Sequence, residues 1–157
     1  MEHNLYEPWG NARAAKDLAL ETRYSSVAAS INEPVTCDVV VSRPSFQGYG
    51  MMIAEIGLPP GAEVDRGTLA SILNDPKSGV DSFEVAPDHV TFYVWPRAAD
   101  SKFRFVFRPR FAMRARTAQS VLYDYFCRGG LAETGASSSP PVRLLKDMRP
   151  DELQPGI

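Results

Sequence analysis

The sequence of 157 residues is poor in the features that announce membrane, metal and catalytic proteins. Nothing in it approaches the ~18 consecutive apolar residues of a membrane-crossing helix, so membrane insertion is not expected. Its first ten residues, Met1 to Gly10, carry neither a basic stretch nor an apolar one, so no targeting segment is visible. A domain cut from a longer secreted chain would look the same. Only two cysteines are present, Cys37 and Cys127, far apart and without metal-site spacing. They are either a long-range disulfide or two buried thiols. The two histidines are as isolated: His3 lies near the start of the chain, and His89 follows the Pro87-Asp88 turn and reads as a surface residue. Gly-x-Ser-x-Gly, phosphate-cradling glycine loops, His-Glu-x-x-His and Cys-x-x-Cys are all missing, so neither an enzyme nor a cofactor is expected. A strong basic excess is missing too. With 17 Lys and Arg against 19 Asp and Glu, the formal net charge is -2, which argues against a nucleic-acid partner.

What is present is a set of short, alternating segments. Hydrophobic residues make up 44% of the chain, enough for one packed core, while 13 Pro and 11 Gly predict many loops and short elements. Leu18, Leu20, Thr22 and Tyr24 alternate with Ala19, Glu21 and Arg23, the period of a half-buried strand. After a turn at Ile31-Asn32-Glu33-Pro34, Val35, Cys37, Val39 and Val41 form the apolar face of a second strand. Met51 to Leu58 reads as a third, closed by Pro59-Pro60-Gly61, and Glu55 is its one acidic residue, expected to face solvent or pair with an arginine. One helix is signalled, with Asp65 as N-cap, Leu69, Ile72 and Leu73 as its apolar stripe and Pro76 as its stop. Strands follow at Val80 to Val85, His89 to Trp95, Lys102 to Arg116 and Gln119 to Cys127. In the last of these Tyr123 and Tyr125 share a face with Val121 and are expected in the core, which would make Tyr125→Ala a costly change.

This succession predicts an all-β fold, an antiparallel β-sandwich of about seven to nine strands with one short helix in a crossover. The expected organisation is an arm or linker over 1–15, the sandwich over 16–130, and a mobile Pro/Ser-rich tail over 131–157.

The segment Lys102 to Arg116 carries the best candidate site. Phe103, Phe105, Phe107, Phe111 and Met113 occupy odd positions, expected in the core, and Lys102, Arg104, Arg108, Arg110, Arg114 and Arg116 occupy even ones. Alternate residues of a strand lie ~7 Å apart on one face, a spacing suited to an acidic protein loop or a polyanion. The competing reading is a solvated face whose charges are offset by acids on neighbouring strands. Pro109 cannot donate to a ladder, so an edge, a bulge or a break is expected there.

Two segments together resemble the C-terminal receptor-binding domain of the alpha-2-macroglobulin family, the last macroglobulin-like domain of thioester-containing proteins. Met51-Met52-Ile53-Ala54-Glu55-Ile56-Gly57-Leu58-Pro59-Pro60-Gly61 is similar to the family's apolar strand with one acidic residue before a Pro/Gly turn and a short helix. Ser120-Val121-Leu122-Tyr123-Asp124-Tyr125-Phe126 resembles its final-strand Tyr-Asp-Tyr-Tyr signature. The resemblance implies a non-enzymatic interaction module of a large secreted or periplasmic endopeptidase inhibitor, with the other domains of that longer chain as its first partners. The Cys-Gly-Glu-Gln motif of the family's thioester is absent from this sequence. In animal relatives two basic residues on the helix are recognised by clearance receptors. Counted from Gly61, Arg66 matches the first of these and Ala70 stands at the second.

Overall fold

A computed structural model describes residues 18–26, 29–43, 50–111 and 117–125, together with the backbone of 137–139. Its strands are β1 (Ala19–Tyr24), β2 (Val35–Ser42), β3 (Met52–Gly57), β4 (Ala62–Val64), β5 (Val80–Val85), β6 (His89–Val94), β7 (Ser101–Pro109), β8 (Ser120–Asp124) and β9 (Ser137–Ser139). One helix, α1 (Arg66–Asn74), stands between β4 and β5. Every strand pairing is antiparallel, in two sheets of order β1-β2-β7-β4 and β5-β6-β3-β8-β9. The helix therefore lies in a crossover from one sheet to the other, and the antiparallel sandwich expected from the sequence is the fold.

Alternation explains the longest strands. In β2 every second residue from Val35 is buried, and in β7 Ser101, Phe103, Phe105, Phe107 and Pro109 are buried while Lys102, Arg104 and Arg108 are exposed. The two sheets meet through aromatic rings. Phe92 of β6 lies 4.7 Å from Phe103 and 5.6 Å from Phe105 of β7, centroid to centroid. Phe92, Phe105 and Phe107 are completely buried, each contributing about 1.5–3 kcal/mol of apolar burial. Polar bonds also cross between the sheets: the Tyr24 hydroxyl of β1 donates to the Gly57 carbonyl of β3 at 2.8 Å. Burial raises the Tyr24 pKa, with the neighbouring Cys37 adding to the effect. Cys37, opposite Tyr24 in the β1–β2 register, is a buried free thiol whose pKa is pushed up by burial and then by Asp38. Cys127 lies outside the described residues.

Local chemistry sets the ends of the elements. The Asp65 side chain accepts from the Gly67 N–H at 2.9 Å, capping α1 as expected, and Leu69 and Ile72 face the core. At Gly57 the chain passes so close to the Ala118 backbone that a Cβ would fall 1.8 Å from its carbonyl oxygen, so glycine is required there.

Several expectations need correction. Leu73 is 41% exposed, because a nine-residue helix over a sheet edge buries a narrow stripe. The break expected at Pro109 is where β7 ends, at its pairing with Ala62 in β4, and Phe111 beyond it is 60% exposed rather than in the core. Met113 lies outside the described residues. In β8 the buried residues are Ser120 and Leu122, while Val121 and Tyr123 are only partly buried on the other face and Tyr125, just past the strand, is 44% exposed. Within the tail, Ser137–Ser139 forms a strand paired with β8, so this part of it is held by the sheet.

Candidate partner-binding surfaces

The arginine strip divides in two. On the outer face of the first sheet, Arg104 of β7 stands opposite Asp38 of β2, and its Nε donates to the carboxylate at 2.5 Å. This bond and the Asp38 charge raise the Arg104 pKa. Lys102, opposite Val40, is exposed and carries no ion pair among the described residues. Farther along, Arg108 lies 3.7 Å from Asp65, and Arg110 is paired with Glu63 and donates to the Asn32 side chain at 3.3 Å. The acids come from β2, β4 and the helix cap. Exposed pairs of this kind contribute little to stability and are screened by salt.

Arg108 and Arg110 also line a groove of about 980 Å³ at the start of α1, together with Arg66 and with Val85, Ala86 and Pro87 of the β5–β6 turn. Arg66, the first residue of the helix, is exposed and without an ion pair among the described residues. Of the expected basic residues, the structure thus brings Arg66, Arg108 and Arg110 together and leaves Lys102 and Arg104 in the first half of β7. Arg114 and Arg116 lie outside the described residues.

The outer face of the second sheet has a different chemistry, which sequence reasoning missed. The register sets Tyr123, Ile53, Tyr93 and Ser82 in one row across β8, β3, β6 and β5, and Val121, Glu55, Thr91 and Glu84 in the next. Ile53 is buried although it stands outside the core cluster, and the register sets it between Tyr93 and Tyr123. Glu55 accepts a hydrogen bond from the Tyr123 hydroxyl at 2.6 Å, so its partner across the sheet is a tyrosine and not an arginine. Tyr93 and Tyr125 meet edge to face at 6.5 Å, and Trp95, 48% exposed, donates its indole N–H to Asp81 at 3.4 Å. The available signal was the shared phase of Ser82 and Glu84, Tyr93 and Trp95, and Tyr123 and Tyr125, which only strand order assembles into one surface.

Between these faces, Arg43 beyond β2 donates to Asp124 of β8 at 2.6 Å, with both side chains only 14% exposed. Asp124 thus ties the end of the first sheet to the second. His89 binds Asp88 at 2.7 Å at the exposed turn. Among the described residues no three His, Cys, Asp or Glu side chains gather as metal ligands, and no helix is long and apolar enough to cross a membrane.

The acid-bearing apolar strand before the Pro/Gly turn and the strand holding Tyr123 and Asp124, the two segments that carry the family resemblance, lie side by side in the second sheet. Residues 47–131 match the A-macroglobulin receptor binding domain, and the chain belongs to this family. No curated protein sequence matches it. The fold is similar to that of native alpha-2-macroglobulin from Escherichia coli in a crystal structure running from domain MG7 to the C-terminus, with a TM-score of 0.62 and 12% identity. It is also similar to Escherichia coli alpha-2-macroglobulin activated by porcine elastase, with a TM-score of 0.58 and 11% identity. The match covers 85% of this chain in each case, but only 24% of the first protein and 13% of the second. At these identities the likeness is one of fold.

Proposed function

We propose that the chain is a non-enzymatic interaction module in the C-terminal part of an alpha-2-macroglobulin-like endopeptidase inhibitor, secreted or periplasmic as part of a longer chain. The observation that carries the reading is the family match over 47–131, which falls on the strands and helix crossover of the sandwich. The likeness of fold to a much longer macroglobulin supports it. On this reading the module is the sandwich of 16–130, flanked by an arm of 1–15 and a tail of 131–157 that lends the sheet β9, and its first partners are the other domains of the parent. The native mass tests it, measured with an antibody raised against this domain. A species several times heavier than the 17.3 kDa of this chain, in the periplasmic or secreted fraction, is expected. A free species of 17.3 kDa in the cytosol overturns the reading.

A second reading is a binding module that uses the arginine face for an acidic or polyanionic partner. The convergence of Arg66, Arg108 and Arg110 on one groove supports it, with Lys102 and Arg104 farther along the same strand face and Arg114 and Arg116 in the following sequence. Retention on heparin that vanishes at moderate salt is its expected result, and passage through the column at low salt removes it.

A further inference from the structure

We propose that the outer face of the β5-β6-β3-β8 sheet docks a basic side chain, lysine or arginine, presented by a protein partner. The inference extends the interaction-module reading to a second surface and names what that surface selects. A cleft of about 440 Å³ opens on this face, lined by the rings of Tyr93, Trp95 and Tyr125 and by Met51, Asp81, Ser82 and Glu84. Among the described residues that line it there is neither lysine nor arginine. The Trp95 indole N–H is turned to Asp81, and Glu84 has no ion pair among the described residues.

Three aromatic rings beside two carboxylates, with no cation among the described lining residues, form a recognition surface of one electrical sense. Ring faces are electron-rich, so a cation stacked on tryptophan or tyrosine gains from the ring and from the carboxylate beside it. An anion would be repelled. A wholly apolar segment would strip water from Asp81 and Glu84 and give them no partner. A second copy of this chain could offer Lys102 or Arg66, since Arg104, Arg108 and Arg110 are engaged by Asp38, Asp65 and Glu63. Such a contact would join unlike faces of the sandwich and build open arrays rather than a closed dimer. A loop carrying lysine or arginine on another domain or protein fits both the charge and the rings.

Titration of the full 157-residue chain with acetylated, amidated tetralysine tests this, followed by NMR at the indole N–H of Trp95, whose resonance Trp95→Phe assigns. Tetralysine is expected to shift that resonance with a millimolar Kd that weakens with salt. Glu84→Gln and Asp81→Asn, both on an exposed strand and checked by thermal unfolding, are each expected to weaken binding roughly 3- to 10-fold. Tetraglutamate is expected to leave the resonance in place. An unmoved resonance with tetralysine, equal binding by both carboxamide variants, equal binding of tetraserine, or sedimentation showing that the chain covers this face with a second copy would each overturn the proposal. The titration uses this chain alone, so its failure and a failure of the native-mass experiment are separate results.

Discussion

The two outer faces of the sandwich are built by the same rule and end with opposite chemistry. On the first sheet the outward positions of β7 are Lys102, Arg104, Val106 and Arg108, and neighbouring strands set Asp38 and Glu63 against the arginines. On the second sheet the outward positions carry Tyr93, Tyr123 and Ile53 beside Glu55 and Glu84. The first face largely balances its charges within itself. The second uses tyrosine, not a cation, as the partner of its central carboxylate, and it leaves Trp95 and Tyr125 open to solvent. Net charge is therefore a poor guide to where such a domain offers a surface, whereas cross-strand register is a good one.

Four changes break or sharpen this contrast. The largest removes what both faces rest on: Phe92→Ala empties the contact with Phe103 and Phe105 and should cost about 3–5 kcal/mol in chemical denaturation. Next, Asp124→Ala removes the carboxylate that the Arg43 guanidinium bonds at the junction of the sheets. With each side chain 14% exposed, the loss should fall at the lower end of the ~3–5 kcal/mol for a broken buried pair. The double change Arg43→Met with Asp124→Leu should recover much of it.

A pH effect comes third. Cys37 has its folded pKa raised above the ordinary value of 9.0, and Tyr24 above 10.0. Both are neutral when protonated, so above those ordinary values the unfolded chain releases protons that the folded one keeps. Stability is fully present below about pH 9 and should fall as pH rises beyond it, by up to about 1.4 kcal/mol per pH unit for each group. Denaturant midpoints from pH 7 to 10.5 check this, and Cys37→Ala should delay the onset toward pH 10.0, where Tyr24 takes over. A disulfide between Cys37 and Cys127 predicts no cysteine onset at all.

The smallest change is at the surface. Tyr125→Ala should cost less than about 1 kcal/mol, although the strand pattern alone suggests a core tyrosine; a loss above 3 kcal/mol would return it to the interior. Tyr93 ring resonances should shift in that variant, since the two rings meet edge to face.

What was legible in the sequence follows from the same contrast. β2 and β7 could be read because their outer positions are polar, so alternation also gives the phase. The helix could be read because Asp65 caps it by local chemistry. The phase of β8 could not be read, because apolar residues stand on both its faces and size favours the tyrosines, while the core takes Leu122. β4 has three residues, too few for any period, yet it supplies Glu63 to Arg110. The basic strip was visible by spacing. Its acidic partners were not, because Asp38 and Asp65 stand tens of residues away from the arginines they meet.

The β9 pairing also bears on where this domain stops. Ser137–Ser139 covers the side of β8 that is not occupied by β3. A chain shortened to end at 130 would keep β8 but bare its backbone donors and acceptors along that side, a template on which strands of separate molecules can zip together. The last strand of the second sheet is thus also its guard against self-assembly, and a recombinant boundary drawn before it would be paid in solubility.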